Sequence, residues 1–175
     1  MIEGKGVRIR PEEYSDASRL PIRLVLDNIR SGQNVGAFFR SADAFRIDGL
    51  DLCGITCHPP HRDILKSALG ASDHVPWLSH DHTLEAIHTL RRDGWKIAAA
   101  EQHSTSISLN TWEPKKGEQW AVVFGNEVRG IADDVLEASD VVVEMPQFGV
   151  KKSINVSVCA GIYLWQASLH LPDTR

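Results

Sequence analysis

Three hydrogen-bonding side chains stand at alternate positions near the carboxyl end of the chain, in the segment MPQFGVKKSINVSVCAG. They are Ser153, Asn155 and Ser157, and they follow Lys151 and Lys152 just before a strongly apolar run. Serine and asparagine compete with the backbone for hydrogen bonds, so they favour caps and turns over helix interiors. The segment therefore indicates a site that holds a polar ligand at the entrance to a helix.

The elements that must position these side chains alternate along the chain from residue 22 onward. The pattern predicts strands at 22–27, 50–56, 96–100, 120–124 and 141–145, with a further strand near 74–77. It predicts helices at 34–47, 62–69, 83–94 and 154–170, with a short helix near 132–139. The runs AVVF and VVVEM do not alternate between polar and apolar residues, which indicates strands covered on both faces. We therefore expect one α/β domain at residues 21–175, with a mostly parallel sheet between helices, after an irregular arm at residues 1–20.

Strand ends are where an open α/β sheet holds its ligands, because ligands bind outside the carboxyl ends of the strands. Three apolar strands end abruptly, at Ala100 and Glu101, at 124–127 and at 145–149. Gly125 and Gly149 follow two of these strands. Each glycine indicates a close approach to a ligand or a tight turn, and simple strand termination is the alternative for each.

Composition restricts the kind of protein. Hydrophobic residues make up 42% and charged residues 24% of 175 residues, which is typical of a folded globular domain. Apolar runs are far shorter than the roughly 20 residues of a membrane span and the amino terminus is charged, so we expect a cytoplasmic protein. Its three cysteines form an odd set in apolar surroundings, which indicates reduced thiols. The net charge of −4 argues against a surface that coats nucleic acid, so RNA contacts would use local patches. The candidate patches are Arg8 with Arg10, Arg19 with Arg23 and Arg30, and Lys151 with Lys152.

Several familiar motifs are absent or incomplete. The sequence has neither a G-x-x-x-x-G-K-[ST] phosphate loop nor a G-x-G-x-x-G dinucleotide fingerprint. A zinc site is not expected at 53–61, because its two cysteines and two histidines lack a C-x-x-C knuckle. The run SHDH at 79–82 cannot form a catalytic triad among neighbours, and we expect Asp81 or His82 to cap the following helix.

Three segments, in order, resemble the motifs of one known family. The segment 34–42 reads NVGAFFRSA and is similar to N-x-G-x-x-x-R-[ST]-A, and 125–130 reads GNEVRG and is similar to G-x-E-x-x-G. The segment 146–157 is similar to P-x-x-G-x-x-x-S-L-N-V-S, with Ile154 in place of leucine, a volume-conserving exchange. These are motifs of the SpoU (TrmH-like) RNA ribose 2′-O-methyltransferases of the SPOUT superfamily. The resemblance spans about residues 21–168.

This resemblance implies properties that the pattern of elements does not. It implies a C-terminal trefoil knot, which generic topology rules would not propose, and a homodimer with its active site at the subunit interface. It also implies S-adenosylmethionine as the cofactor; no metal is expected, on the spacing argument given above. By resemblance, the main chain of Gly125, Met145 and Ile154 contacts the cofactor, with the strand end at Ala100 and Glu101 nearby.

The resemblance also implies roles for polar side chains. Ser153 and Asn155 would grip the cofactor tail and the nucleotide, and capping of the helix by Ser153 is compatible with that role. Ser157 would be a packing residue that lets helices approach. Arg40 matches the family's catalytic arginine. Because a guanidinium normally keeps its proton, we interpret Arg40 as a cation that binds the adjoining phosphate and stabilises the forming alkoxide, rather than as a base.

The remaining candidates are less determined. Asn34 could cap its helix, and we expect it also to orient the substrate or Glu127. Glu127 either lies near the sulfonium or pairs with a neighbouring arginine. Lys151 and Lys152 are candidate phosphate contacts, which position RNA without reading its sequence.

The leading hypothesis is an S-adenosylmethionine-dependent RNA ribose 2′-O-methyltransferase. We expect tRNA as the substrate, because no further RNA-binding domain precedes the core in this sequence. The alternatives are methylation of rRNA and a catalytically silent RNA-binding module that keeps the knot. The silent module is disfavoured because the family's polar catalytic positions are all filled.

Overall fold

A computed structural model describes residues 9–151 and 153–171. Within them one parallel sheet has seven strands. The strands are β1 (Leu20–Asp27), β2 (Ile47–Cys53), β3 (Trp77–His80), β4 (Lys96–Ala100), β5 (Ile107–Ser108), β6 (Trp120–Phe124) and β7 (Val141–Glu144). The helices are α1 (Gly32–Phe45), α2 (Arg62–Ala68), α3 (Thr83–Arg92), α4 (Asp133–Glu137) and α5 (Val156–His170).

Helices cover both faces of the sheet, as predicted. Apolar residues of α1, α2 and α5 pack in one core on one face, and those of α3 and α4 pack in a second core on the other. In β6, Val122 and Phe124 contribute to the first core while Ala121 and Val123 contribute to the second. This division explains why the strand sequences do not alternate in polarity, because neither face meets water.

An aromatic cluster joins α1 and α5 to the first face. The Phe38 and Tyr163 rings each lie 5.5 Å from the Phe124 ring in edge-on arrangements. The Tyr163 hydroxyl donates a hydrogen bond to the carbonyl of Val143 on β7. Because β6 ends at Phe124, these contacts anchor both helices beside one strand end.

The strand order is β3-β2-β1-β6-β4-β7-β5. From β1 the chain builds outward through β2 and β3, and it then returns to form β4, β6 and β7 on the other side of β1. The carboxyl ends of β4, β6 and β7 are therefore neighbours. Such an edge, next to a reversal of strand order, is where open α/β sheets bind ligands.

Several boundaries differ from those predicted. The strand expected at 74–77 begins only at Trp77, and the two-residue β5 was not predicted because it is too short to give a pattern. The last helix begins at Val156 rather than at residue 154. The expected side-chain cap of α3 is wrong for His82, whose side chain accepts no cap hydrogen bond. Thr83 instead anchors the start of α3 by donating its hydroxyl to the buried Asp27.

The predicted arm is partly integrated into the core. Residues 1–8 lie outside the described residues. Pro11–Glu13 form a 3-10 turn, Tyr14 is buried against the ring of His74, and Leu20 already belongs to β1. Apart from this turn, residues 14–19 have no regular secondary structure, and the buried Tyr14 is the apolar residue that packs the segment on the core.

Candidate active site

A cleft of about 450 Å³ opens at the carboxyl ends of β4, β6 and β7. Nine of the twelve site residues predicted from sequence line it. They are Asn34, Ala100, Glu101, Gly125, Glu127, Met145, Ser153, Ile154 and Asn155. The cleft is also lined by three buried or half-buried residues, Phe124, Cys159 and Tyr163. Segments that are far apart in sequence thus meet at one cleft.

A chain of side-chain hydrogen bonds links the three motifs at this cleft. The Asn155 amide nitrogen donates to the Asn34 side-chain oxygen over 3.0 Å. The Asn34 amide nitrogen donates in turn to Glu127 Oε1, also over 3.0 Å. Because the Asn34 amide accepts from one neighbour and donates to the other, its orientation is fixed by both. The expectation that Asn34 orients Glu127 agrees with this geometry.

Glu127 is a carboxylate held at the start of α1. Burial alone would raise the pKa of Glu127, but hydrogen bonds lower it below its usual range. The donors include the backbone N–H groups of Arg30 and Ser31, over 3.1 and 3.2 Å, and the Asn34 side chain. Glu127 thus binds the backbone of an arginine, and no guanidinium pairs with it among the described residues. A carboxylate with a lowered pKa and three donors is an acceptor, not a proton carrier at neutral pH.

Helix caps are distributed differently from the sequence expectation. Ser31, not Asn34, caps α1, since its side-chain oxygen accepts the Asn34 N–H. Asn155, not Ser153, caps α5, because its side-chain oxygen accepts the N–H groups of Ser157 and Val158. The Ser157 hydroxyl donates to that same oxygen over 2.6 Å. Asn155 therefore combines two functions, a helix cap through its oxygen and a link to Asn34 through its nitrogen.

The loop after β6 is held by Asn126 and Asn28, which the sequence analysis did not single out, and by Glu101, which it placed near the cofactor. The Asn126 amide nitrogen donates to the carbonyl of Asn28 over 2.7 Å, and its oxygen accepts the N–H groups of Val128 and Arg129. Asn28 itself has a φ of 58°, a conformation that asparagine tolerates better than most residues. Glu101 accepts the N–H of Ile131 over 3.0 Å from the end of β4. The signal that could have identified Asn28 is its residue type at the end of a strand, because asparagine is common in turns that need a positive φ.

Two of the motif glycines, Gly36 and Gly125, serve packing inside the protein. A Cβ on Gly36 would lie 2.7 Å from the Ile64 carbonyl oxygen, so this glycine lets α1 and α2 touch. A Cβ on Gly125 would lie 2.6 Å from the Gly130 carbonyl oxygen, so the close approach expected there is made by its own loop. A Cβ on Gly149 would meet open space, and the φ of Gly149 is not positive, so this position does not require glycine for its backbone conformation or for a close approach within the protein.

Three predicted residues lie apart from the cleft lining or outside the described residues. Arg40 is exposed on α1, about 9 Å along the helix axis from Asn34 and about 120° around it. Lys151 is exposed in the loop before Ser153. Lys152 lies outside the described residues. The chain therefore presents the cleft and Arg40 on different parts of its surface.

The basic patch expected at Arg19, Arg23 and Arg30 does not exist as such. Arg23 is buried, and its guanidinium pairs with Asp48 and Asp51 over 2.7 and 2.8 Å. Burial of a charge is tolerated because these carboxylates compensate it. Arg23 is thus a structural residue of β1, and only Arg30 of this group is exposed near the cleft.

The cysteines behave as small apolar residues. Burial and the nearby Glu101 raise the pKa of Cys159 to about 11, and burial raises the pKa of Cys53 to about 12. All three cysteines are free thiols.

Among residues 9–151 and 153–171, no group of three or more His, Cys, Asp or Glu side chains is arranged to hold a metal ion. Within the same residues, no helix has the length and apolar character to cross a membrane.

Comparison with known proteins, by family model and by individual relatives, supports the family resemblance noted in the sequence. The family model described as the SpoU rRNA Methylase family matches residues 21–165. A Staphylococcus saprophyticus protein assigned to the TrmH family of tRNA/rRNA methyltransferases is 26% identical over 174 residues, which cover 94% of this chain and 69% of that protein.

Two solved structures have the same fold. The AdoMet-bound rRNA methyltransferase from Sinorhizobium meliloti superposes with a TM-score of 0.79 at 25% identity, covering 88% of this chain. This chain spans only 61% of the length of that one. A structure that addresses 2-OH methylation on tRNA superposes with a TM-score of 0.76 at 25% identity, covering 85% of this chain and 95% of the other.

Proposed function

The chain belongs to the SpoU rRNA methylase family, and from this premise we propose that it transfers a methyl group from S-adenosylmethionine to a ribose 2′-hydroxyl of RNA. The observation that carries the proposal is the hydrogen-bonded chain Asn155–Asn34–Glu127 at the edge of the cleft. It unites one residue from each of the three family motifs. Shared packing alone does not require that the polar residues of all three motifs meet at an open cleft.

The cleft fits the proposed cofactor. Its volume lies within the range of about 300–1,000 Å³ that small-ligand sites occupy. Its lining combines apolar Ala100, Met145 and Ile154, which suit a flat neutral base, with the polar Ser153 and Gln147. When bound, the cofactor supplies an electrophilic methyl group on a sulfonium. Glu127, a carboxylate at neutral pH, is a favourable neighbour for that positive charge.

The chain's own residues position the two substrates and stabilise the charge that develops during transfer. Ser153 and Asn155 orient the cofactor tail and the nucleotide, and most of the rate gain comes from holding the hydroxyl in line with the methyl group. Arg40 is the cation that binds the adjoining phosphate and the developing alkoxide. Asn34 fixes the Asn155 amide and the Glu127 carboxylate relative to each other.

We propose that the active enzyme is a homodimer and that the subunit interface brings Arg40 of the partner subunit to the cleft. Supporting this, α5 exposes a helical stripe of apolar side chains, each at least 40% exposed, opposite the side packed on the sheet. The stripe consists of Val158, Ile162, Trp165 and Leu169. A Cβ on Gly161, within the same helix, would meet open space, so a second helix could approach closely there.

We propose tRNA as the substrate. The support is that a structure that addresses 2-OH methylation on tRNA superposes on 85% of this chain with a TM-score of 0.76 at 25% identity. The C-terminal trefoil knot, the single methyltransferase domain at 21–175 and the cytoplasmic location remain predictions that accompany this proposal.

The test is methyl transfer from radiolabelled S-adenosylmethionine to purified tRNA or rRNA, followed by nuclease digestion and separation of nucleosides. Label in 2′-O-methyl nucleosides from tRNA supports the proposal. Label only from rRNA supports the alternative substrate, and label in base-methylated nucleosides contradicts ribose chemistry. Absence of label with both RNAs, for a protein that still binds them, supports the silent module.

A further inference from the structure

Two exposed arginines, Arg30 and Arg129, extend from the two loops that meet at the cleft. The backbone N–H of Arg30 donates to Glu127 over 3.1 Å, and Arg129 follows Glu127 by two residues. The Arg129 N–H donates to the Asn126 side chain, which also donates to the carbonyl of Asn28. Both arginine backbones are therefore fixed to one connected set of hydrogen bonds, while their side chains are left to solvent.

These two side chains differ from most other arginines of the protein. Among the described residues, five arginines have a carboxylate within 4 Å. They are Arg10, Arg23, Arg62, Arg91 and Arg92. Within the same part of the chain, the guanidinium groups of Arg30, Arg40 and Arg129 have no ion pair, hydrogen bond or ring contact. These three guanidinium groups are exposed and are therefore available to an anionic partner from outside the protein.

The two carboxylates that line the cleft, Glu101 and Glu127, are already engaged. Glu127 accepts hydrogen bonds from two backbone N–H groups and from Asn34. Glu101 accepts from the N–H groups of Gln102 and Ile131. Neither carboxylate turns toward the two guanidinium groups within ion-pairing distance.

Resting on the proposed function, we propose that Arg30 and Arg129 form a phosphate-binding pair that grips the RNA backbone beside the target ribose. A guanidinium matches phosphate oxygens in a planar, two-bond arrangement. Such contacts fix the register of the RNA without reading its sequence. The two arginines thus contribute to binding RNA and contribute nothing to cofactor binding or to the chemical step.

The experiment measures methyl transfer by Arg30→Gln, Arg129→Gln and the double variant, with Arg92→Gln as the control. Arg92 is an exposed arginine on α3, which covers the opposite face of the sheet. Since only backbone groups of Arg30 and Arg129 support the fold, melting temperatures should match that of the wild type. We expect the apparent KM for RNA to rise several-fold in each single variant and about tenfold or more in the double variant, with kcat within about twofold. The slope of log(kcat/KM) against the logarithm of the salt concentration should become less steep by about one for each arginine replaced.

The outcomes separate this proposal from the proposed function. If the wild type methylates RNA and the double variant has an unchanged KM for RNA, the phosphate pair is wrong and the activity stands. A lower kcat at unchanged KM, or weaker S-adenosylmethionine binding by calorimetry, also overturns it. If the wild type methylates no RNA, filter binding of tRNA decides. Equal affinity of the wild type and the double variant for tRNA overturns the phosphate pair. A lower affinity in the single and double variants, with Arg92→Gln unchanged, supports it.

Discussion

The amide nitrogen of Asn155 donates a hydrogen bond to the side-chain oxygen of Asn34 over 3.0 Å, although 121 residues separate them. The oxygen of the same Asn155 amide caps α5. Asn34 in turn donates a hydrogen bond to Glu127, and Glu127 also accepts the backbone N–H of Arg30 just before α1. The starts of two helices and the loop after β6 are thus positioned as one unit.

The two functions of Asn155 can be separated by substitution. Asn155→Asp keeps the oxygens that cap α5 but removes the donor to Asn34 and places a charge against the Asn34 oxygen. Asn155→Ala removes both functions, so we expect it to lower the free energy of unfolding by about 1 kcal/mol, while Asn155→Asp retains most of the stability. Both variants should weaken cofactor affinity or turnover. Urea unfolding and methyl-transfer assays would measure these effects.

A matched control for Asn155 is Asn110→Asp, an exposed asparagine in the 3-10 turn Leu109–Thr111, outside the cleft lining. It should leave both unfolding and transfer unchanged. Wild-type turnover by Asn155→Asp would show that the bond to Asn34 has no part in the activity.

Much of the fold follows from the sequence because long apolar runs dominate it. Strands β4 and β6 begin and end where their apolar runs do, since burial on both faces leaves one solution. β5 has two residues and takes its conformation from pairing with β7, so no local pattern could indicate it. Likewise, the start of α5 was misplaced by two residues because Ile154 continues the apolar run although Asn155 caps the helix.

The candidate site was predictable by residue type and less so by role. The motif spacing brought Asn34, Glu127 and Asn155 to one cleft, but their bonding partners depend on tertiary contacts between segments almost a hundred residues apart. The roles of Gly36 in the contact of α1 with α2 and of Asn126 in holding Asn28 likewise require the folded geometry. A motif identifies which residues matter, whereas packing decides what each one touches.

The Glu127 carboxylate should contribute to stability in a pH-dependent way. Its pKa in the folded protein is lowered from 4.5, so the folded state holds the charged form more tightly than the unfolded state does. The contribution is present above the unfolded pKa and is lost as pH falls through the folded pKa. We therefore expect the difference in unfolding free energy between wild type and Glu127→Gln to be largest near neutral pH and to shrink below about pH 4.

Chemical unfolding of both proteins at several pH values would measure the contribution of Glu127. Asp134→Asn is a suitable control, because this exposed carboxylate lies in the first turn of α4, outside the cleft lining. A stability difference for Glu127→Gln that does not vary with pH would contradict the assignment of Glu127 as a charged acceptor.

The exposed stripe on α5 should form the interface of the proposed dimer. Trp165 is 57% exposed, while α5 is fixed to the sheet by other residues such as Tyr163 and Ala167. Trp165→Glu should therefore leave the monomer folded and shift the protein from dimer to monomer in size-exclusion chromatography with light scattering. Leu78→Glu, at a similarly exposed position on β3, should remain dimeric. A Trp165→Glu protein that is still dimeric would place the interface elsewhere.

The separation of Arg40 from the cleft within one protomer leads to a mixing experiment. Arg40→Ala should lose methyl transfer but keep nearly normal cofactor binding by calorimetry, because Arg40 does not line the cleft. Asn155→Ala should transfer methyl groups only weakly. If each active site combines Arg40 of one subunit with the cleft of the other, a mixed dimer contains one intact site and one site that lacks both residues. Random exchange of equal amounts, after partial unfolding and refolding, should then restore about a quarter of wild-type activity.

A site built within a single subunit gives the opposite result, because each subunit of the mixed dimer then lacks one essential residue. The mixture would remain as inactive as its components. Refolding each variant alone controls for the treatment, and adding Trp165→Glu to both variants should abolish the restored activity, since the subunits could no longer pair. Recovery in the mixture that depends on Trp165 would therefore establish both that the site is shared and that α5 forms the interface that shares it.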